Sequence, residues 1–420
     1  MLAALFNAFR VPELRTKLFY TAIILFVYRV GSYIPVPGVD AAAILAEFNS
    51  LTGSGGVGIL SLLNLFSGGA LSRFTIFALN IGPYITASIV VQLLGYVIPS
   101  LEKLQKEGVE GRKQLAKYTT YLSIFLAFIQ SYTYVALLSN AITGGILQKL
   151  LIMISMTAGA SFCVWLGGLI SQNGIGNGVS LLIFAGIVAG IPSGLVNGVA
   201  LIAGGGVNIL AVILLLLIGL AIIVATVAIE LGQRKIPVQY PKRVVGRRVY
   251  GGQSTHIPLK VNQAGVIPVI FASSILAFVT TIGQYIPAVS GFFSSSLYTN
   301  WVYNSLYLIL IILFTFFYTG LTFNPVDVAD NMKKAGGFVP GIRPGKPTSD
   351  YLSKISTRLT FCGAIFLAAL AIAPNITTVI TPLNIGLGGT SLLIVIGVAL
   401  DTVRQIESQL VMRQYEGFMK

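Results

Sequence analysis

The chain comes nearest to a reactive motif at Gly341-Ile342-Arg343-Pro344-Gly345-Lys346. Two glycines before a lysine suggest a phosphate-cradling loop. Such a loop needs four residues between its glycines, a Ser or Thr after the lysine to hold magnesium, and a strand in front. Here three residues separate the glycines, Pro347 follows the lysine, and no strand pattern precedes. Nucleotide chemistry is therefore not expected. Gly174-Ile175-Gly176-Asn177-Gly178 also lacks dinucleotide spacing and reads as a tight turn. His256 is the only histidine, and Cys163 and Cys362 lie far apart in apolar runs. The cysteines are expected to be small buried apolar residues, and neither a metal centre nor a cofactor is expected. The apolar segments hold no Ser/His pair and no paired aspartates, so no catalytic residue is assigned.

A carboxylate in mid-membrane would serve ion-coupled transport. None of the 13 acidic residues falls at the centre of an apolar stretch, and Glu230 and Asp401 lie near the ends of theirs. The alternative of a small-solute secondary transporter would need a sodium site built from hydroxyls and carbonyls.

The elements around these residues are apolar. Over 420 residues the chain is 55% hydrophobic and only 10% charged, whereas soluble proteins carry about 25% charge. A helix needs about 20 apolar residues to cross the bilayer. Ten such stretches are predicted, at about 18–36, 74–97, 115–139, 149–171, 179–198, 207–230, 263–285, 303–323, 357–376 and 390–410. The fold class is all-α and polytopic. Arg10, Arg15 and Lys17 precede the first stretch, which reads as a membrane helix and not as a cleaved signal. Of 27 Lys and Arg, 24 lie at the two termini and in the even-numbered loops, leaving Arg29, Arg73 and Lys149 opposite. Both termini are thus expected in the cytoplasm. A further piece, about 57–72, is too short and too Gly-interrupted to cross and suggests a re-entrant half-helix.

Two long cytoplasmic loops remain. In 231–262, Val, Ile and Tyr alternate with basic residues between glycines, which predicts a projecting β-hairpin. It carries the pairs Arg234-Lys235, Lys242-Arg243 and Arg247-Arg248. Such a surface suits RNA phosphates or an acidic protein face. The other loop, 324–356, contains Arg343.

The blocks SGGALSRFTIFALNIGPYITASIVVQLL, WLGGLISQNGIGNGVSLLIFAGIVAGIPS, GRRVYGGQSTHIPLKVNQAGVIPVIFASSIL, FNPVDVADNMKKAGGFVPGIRPGKPT and GGTSLLIVIGVALDTV resemble the bacterial branch of the SecY/Sec61-alpha family, whose members form protein-conducting channels. The resemblance runs from about residue 12 to 417. It implies two inverted, pseudo-symmetric halves of five helices, 1–205 and 206–420, around an hourglass pore. A ring of aliphatic side chains would close that pore by dewetting. By the resemblance it comprises Ile81, Ile85, Val179, Ile183, Ile270 and Ile394, with Val179 smaller than the usual Ile. The re-entrant piece would be the plug, about 57–73, with Ile59, Leu60, Leu63 and Phe66 in its body, Gly68 and Gly69 as its joint, and Arg73 at its end. A lateral gate between stretches 2 and 3 and stretches 7 and 8 would carry Ser88, Gln92, Asn262, Gln263, Ser273 and Ser274. Implied partners are SecE and SecG, the SecA motor ATPase, the ribosome, signal peptides with their preproteins, and membrane lipids. Arg343 would be tied to the motor, and Arg247 and Arg248 to ribosomal RNA. The implied setting is the bacterial plasma membrane.

Overall fold

The structure, a computed structural model, describes residues 9, 11–53, 64, 67–138, 142, 145–203, 209–240, 243–245, 248–250, 254–283, 301–380 and 389–418. In chain order the helices before the hairpin are α1 Pro12–Gly31, α2 Ala41–Gly53, α3 Gly82–Val97, α4 Pro99–Lys106, α5 Val109–Leu137, α6 Ile146–Asn173, α7 Gly178–Ala203 and α8 Ile209–Leu231. Strands β1 Gln233–Gln239, β2 Arg243–Val245, β3 Arg248–Tyr250 and β4 Ser254–Lys260 follow. Helices α9 Ile267–Gly283, α10 Trp301–Thr322, α11 Pro325–Lys334, α12 Lys346–Ile380 and α13 Gly389–Phe418 complete the chain.

Each predicted apolar stretch overlaps a helix. Among the described residues, four helices are long and apolar enough to cross a membrane: Val109–Leu137, Ile146–Asn173, Val302–Lys334 and Lys346–Ala373. The pair Gly82–Val97 and Pro99–Gln105, bent by 107°, makes a fifth candidate. The bend sits at Ile98, which is extended (φ −100°, ψ 112°) because Pro99 disfavours a helical residue before it. Burial shows what the helices face. On α1, Leu14, Thr21, Ile24 and Tyr28 are buried, while Phe19, Ile23, Phe26 and Val30 are exposed at helical spacing on the other side. An apolar exposed stripe of this kind suits lipid, where close packing holds helices together more than the hydrophobic effect does. At the α6–α7 contact Gly178 lies on the carbonyl of Gly167, where a Cβ would overlap it.

Several boundaries differ from expectation. Stretch 2 becomes helical only at Gly82, where Pro83 occupies the first turn. Residues 74–81 form turns instead, with Phe74 (φ 49°) and Asn80 (φ 48°) in the left-handed region. This segment bonds to the chain leaving α1: Val36 N–H donates to Phe74 O (3.1 Å) and Ile76 N–H to Ile34 O (3.1 Å). α12 starts at Lys346 instead of about 357, and α13 continues to Phe418. Helices α2, α4 and α11 fall between the predicted stretches. Cys163 is buried, but Cys362 is exposed on the outward face of α12, against expectation. The boundary between the expected halves, 205/206, lies outside the described residues.

The largest apolar core draws on α1, α3, α6, α7, α9, α10, α12 and α13. A second joins α2, α5, α6 and the 71–79 turns. A third, small and separate, lies between the hairpin and the α10–α12 connection.

Candidate functional site

All six ring positions fall in the largest core. Ile81 (0% exposed), Ile183, Ile270 and Ile394 are buried members, and Ile85 and Val179 pack against them half-buried. Local structure explains the convergence. Ile81 is the N-cap residue of α3, and Ile85 N–H bonds back to its carbonyl (3.1 Å), which stacks the two on one face. At α7 the Asn177 Oδ1 accepts from Val179 N–H (3.1 Å) and Ser180 N–H (3.4 Å), satisfying donors that would be orphaned at the helix start. Val179 sits in that first turn, and its Cγ2 lies at the α6 residue Gly167. Among the other members of this core is Ile187 (1% exposed), one turn beyond Ile183. Its signal in the sequence was its i+4 spacing from Ile183.

Of the expected plug, Ile59, Leu60, Leu63 and Phe66 lie outside the described residues. Its end is described. Gly68 (φ 65°) and Gly69 (φ 83°) are left-handed, a conformation glycine adopts without strain. Ser67 and Asn64 tie the turn: Leu71 N–H donates to Ser67 Oγ (3.1 Å) and Ser72 N–H to Asn64 Oδ1 (2.9 Å). Arg73 is exposed, with its guanidinium 4.3 Å from the ring centre of Tyr33.

The expected gate residues divide. Ser88 and Gln92 bond to each other along α3 (3.1 Å), and Ser273 donates to Ile270 O (2.9 Å) on α9. Ser274 is half-buried on α9. α3 packs on α9, and Tyr96 meets Phe317 of α10 edge-on at 5.7 Å. Asn262 and Gln263 do not join this seam. They precede α9, which starts only at Ile267, and point to other helices. Asn262 Nδ2 donates to the buried Glu230 carboxylate at the end of α8 (2.6 Å), and Gln263 Oε1 accepts from Ser356 of α12 (3.3 Å). The Glu230 carboxylate thus gains a partner where water is excluded.

The hairpin exists as expected. β1 and β4 pair antiparallel with Ile236 opposite Ile257, and β2 and β3 pair antiparallel in a second two-stranded sheet. Ile236, Val238 and Leu259 bury against Met332, Val339 and Leu352. Gln239 and Phe338 exchange both backbone bonds (2.9 and 3.0 Å). The two long loops, read separately in the sequence, are therefore one platform. Arg234, Lys235 and Arg343 are exposed on it. Lys242 and Arg247 lie outside the described residues, and Arg243 and Arg248 fall on β2 and β3. Arg343 sits between two left-handed glycines, Gly341 (φ 81°) and Gly345 (φ 102°). The buried Thr348 donates its hydroxyl to Arg343 O (2.8 Å), so the backbone is held inward while the side chain points out. Arg234, Lys354 and Arg358 also frame an open cavity of about 280 Å³ with Tyr351, Ile355 and Leu359. Lys354 and Arg358 are not among the expected site residues. Their i+4 spacing was the available signal.

These features recur in known proteins. The SecY family model matches residues 75–403. The Mycobacterium bovis "Protein translocase subunit SecY" is 48% identical over 450 aligned positions, covering 100% of each chain. The solved structure titled "The structure of a protein conducting channel" superimposes with a TM-score of 0.68 at 22% identity, covering 94% of this chain and 92% of that one. "Sec61 in the Canine ribosome-channel complex from the endoplasmic reticulum" gives 0.64 at 20% identity over 94% and 92%. None of these three is described as a small-solute transporter. The polytopic helical fold, the matched family model and near-half identity from end to end agree: the chain belongs to the SecY family.

Proposed function

We propose that this multi-pass membrane protein is a protein-conducting channel through which unfolded secretory chains cross the membrane, with apolar segments leaving sideways into lipid. One observation carries the reading: the six expected ring residues, contributed by four separate parts of the chain, belong to one apolar core where the helices meet. A waist of aliphatic side chains can stretch around any sequence and still exclude ions, because an ion entering it would shed water at a cost of several kcal/mol. Charged or carbonyl rings would bind ions and conduct them. Helix α7 contributes Ile183 and Ile187 at the centre of this waist, and Val179 at its edge. The segment before Gly68 serves as the plug. The two halves, 1–205 and 206–420, open as a clamshell along the α3–α9 seam, where Ser88, Gln92, Ser273 and Ser274 lie.

The platform docks the partners that supply energy. A Sec61 relative is described in a complex with the ribosome, which supports the same docking here. The exposed cations suit rRNA phosphates and the acidic surface of a SecA-type motor. SecE and SecG complete the assembly. The excess of cations in the even loops supports cytoplasmic termini, and the bacterial relative supports a bacterial plasma membrane.

A photocrosslinker placed in turn at 85, 183, 270 and 394 tests this. With a secretory precursor stalled in transit, each position is expected to label the precursor. Labelling at none of the four removes the waist from the path.

A further inference from the structure

We infer that the cavity between the hairpin and α12 is a site for the phosphate headgroup of an anionic phospholipid, held by Arg234, Lys354 and Arg358. The inference concerns the membrane around the protein and stands whether or not a polypeptide passes through it.

Two chain segments bring these cations together as they leave the membrane. The apolar helix α8 ends at Leu231, and Arg234 follows three residues later on β1. Lys354 and Arg358 lie one turn apart on α12, and the apolar run of that helix starts at Leu359. All three therefore sit at the level where a bilayer gives way to water. Strand and helix are fixed against each other. Leu352 of α12 is fully buried with Ile236 and Leu259 of the hairpin. Ser356 donates to Gln263 Oε1 at 3.3 Å. At Gly363 the helix lies so close to the chain leaving β4 that an added Cβ would stand 2.9 Å from the Val261 carbonyl oxygen. The cavity is thus formed by the folded chain itself.

Its lining has two characters. The three cations are exposed, and none has a carboxylate within ion-pair distance among the described residues. Asp350 lies one turn before Lys354 without pairing to it, and the buried Glu230 accepts from Asn262 instead. Tyr351, Ile355 and Leu359 supply a half-buried wall of aromatic and aliphatic surface. Three cations around a space of about 280 Å³ make a local positive field that an anion relieves.

A soluble phosphate would satisfy the cations alone. The surface beyond them selects a lipid. Along α12 the exposed positions continue from Lys354 and Arg358 to Phe361 (55% exposed), Cys362 and Ile365 (48% exposed), at helical spacing on one face. Cations at the boundary above an outward apolar stripe match a lipid, whose phosphate lies at the boundary and whose acyl chains run along the helix. RNA phosphates would engage the cations and leave the stripe uncovered.

The test uses the full chain in its native membrane assembly. The vesicles are phosphatidylcholine with a small fraction of photoreactive phosphatidylglycerol, its crosslinker high on one acyl chain. Labelled peptides are mapped by mass spectrometry, and labelling is expected on α12 between 355 and 365. Lys354→Gln and Arg358→Gln are each expected to lower it about fivefold, the share of one cation near an anionic bilayer, and the double variant about twenty-five-fold. Gln is a good helix former, so α12 survives. Arg234 is left in place because it also belongs to the docking platform. Lys333 and Lys334, two exposed cations of α11, are the control. Lys333→Gln with Lys334→Gln removes the same charge and should leave the labelling as it was. An equal fall in that control overturns the site, because it would report only the overall positive field. Equal labelling by a photoreactive phosphatidylcholine overturns the anionic headgroup. Loss of labelling in millimolar glycerol phosphate overturns the lipid and assigns the cavity to a soluble phosphate. Unchanged labelling in the Lys354→Gln, Arg358→Gln double variant overturns the inference, and a fall in its ribosome binding would give the cavity to the docking platform instead.

Discussion

The proposed waist and the hairpin platform both rest on packed apolar cores, but they are built on different terms. The waist gathers aliphatic residues from helices far apart in sequence, and their apolar side chains, not directional bonds, join one helix to the next. The platform is a core of six buried residues fixed by strand register, a two-bond backbone bridge, the Asn324 cap of α11 and the Thr348 bond to Arg343. Apolar packing is tolerant of shape and can part and close. Directional bonds hold one geometry. A channel needs the first where a polypeptide passes and the second where a partner docks.

The largest effects should separate the two regions cleanly. Arg343→Glu is expected to abolish ATPase-driven export while the protein stays inserted and protease-resistant, with resting ion leak unchanged. The waist pair Ile85→Ser with Ile394→Ser should do the reverse. Export continues, and leak rises about tenfold or more because hydroxyls offset part of the dehydration penalty. Precursor translocation into vesicles and bilayer conductance measure the two axes. If either variant moves both axes together, the division of labour is wrong.

A smaller effect compares energetics directly. Leu352 in the platform and Leu367 in the waist core are each 0% exposed. Truncating a buried Leu to Ala in water-folded structure costs about 2–5 kcal/mol, the sum of a transfer term and a cavity term. At Leu367 the unfolded reference is lipid, so the transfer term largely vanishes. Leu352→Ala should therefore cost about twice what Leu367→Ala does, read as lost amide protection in β1 and β4 against that in α12. Equal losses would mean that the waist core is as water-exposed on opening as the platform.

The sequence showed some of this and hid the rest for physical reasons. Hydropathy located the helices because each has to be apolar over a bilayer's thickness, and alternation located the hairpin because its strands bury one face. The start of α3 was hidden because residues 74–81 are as apolar as a helix, and only Pro83 marks the true beginning. Asn262 and Gln263 were misplaced because polarity next to a helix says nothing of direction. Their partners Glu230 and Ser356 lie far away in sequence, at distances of 32 and 93 residues. The single platform was not legible, since Gln239 meets Phe338 across β2 to α11 with no local signal. The proposed ring rests on family resemblance and not on any local signal. Any isoleucine in a membrane helix can be plain packing.

The smallest effect probes whether the platform acts through charge alone. Thr348→Val keeps the side-chain volume and removes the hydroxyl that holds Arg343 O at 2.8 Å. The bonds from Thr348 N–H and Ser349 N–H to Gly345 O remain, so the start of α12 survives. The expected cost is about 1 kcal/mol of local order, with no change in global stability. Arg343 keeps its charge but loses a fixed direction. Motor-driven export should fall by a few-fold, roughly the factor that energy represents, and ion leak should not move. A loss as complete as that of Arg343→Glu would show that geometry carries the docking. No loss at all would show that a cation anywhere near position 343 suffices, and the rigid platform would then be scaffolding for the hairpin only.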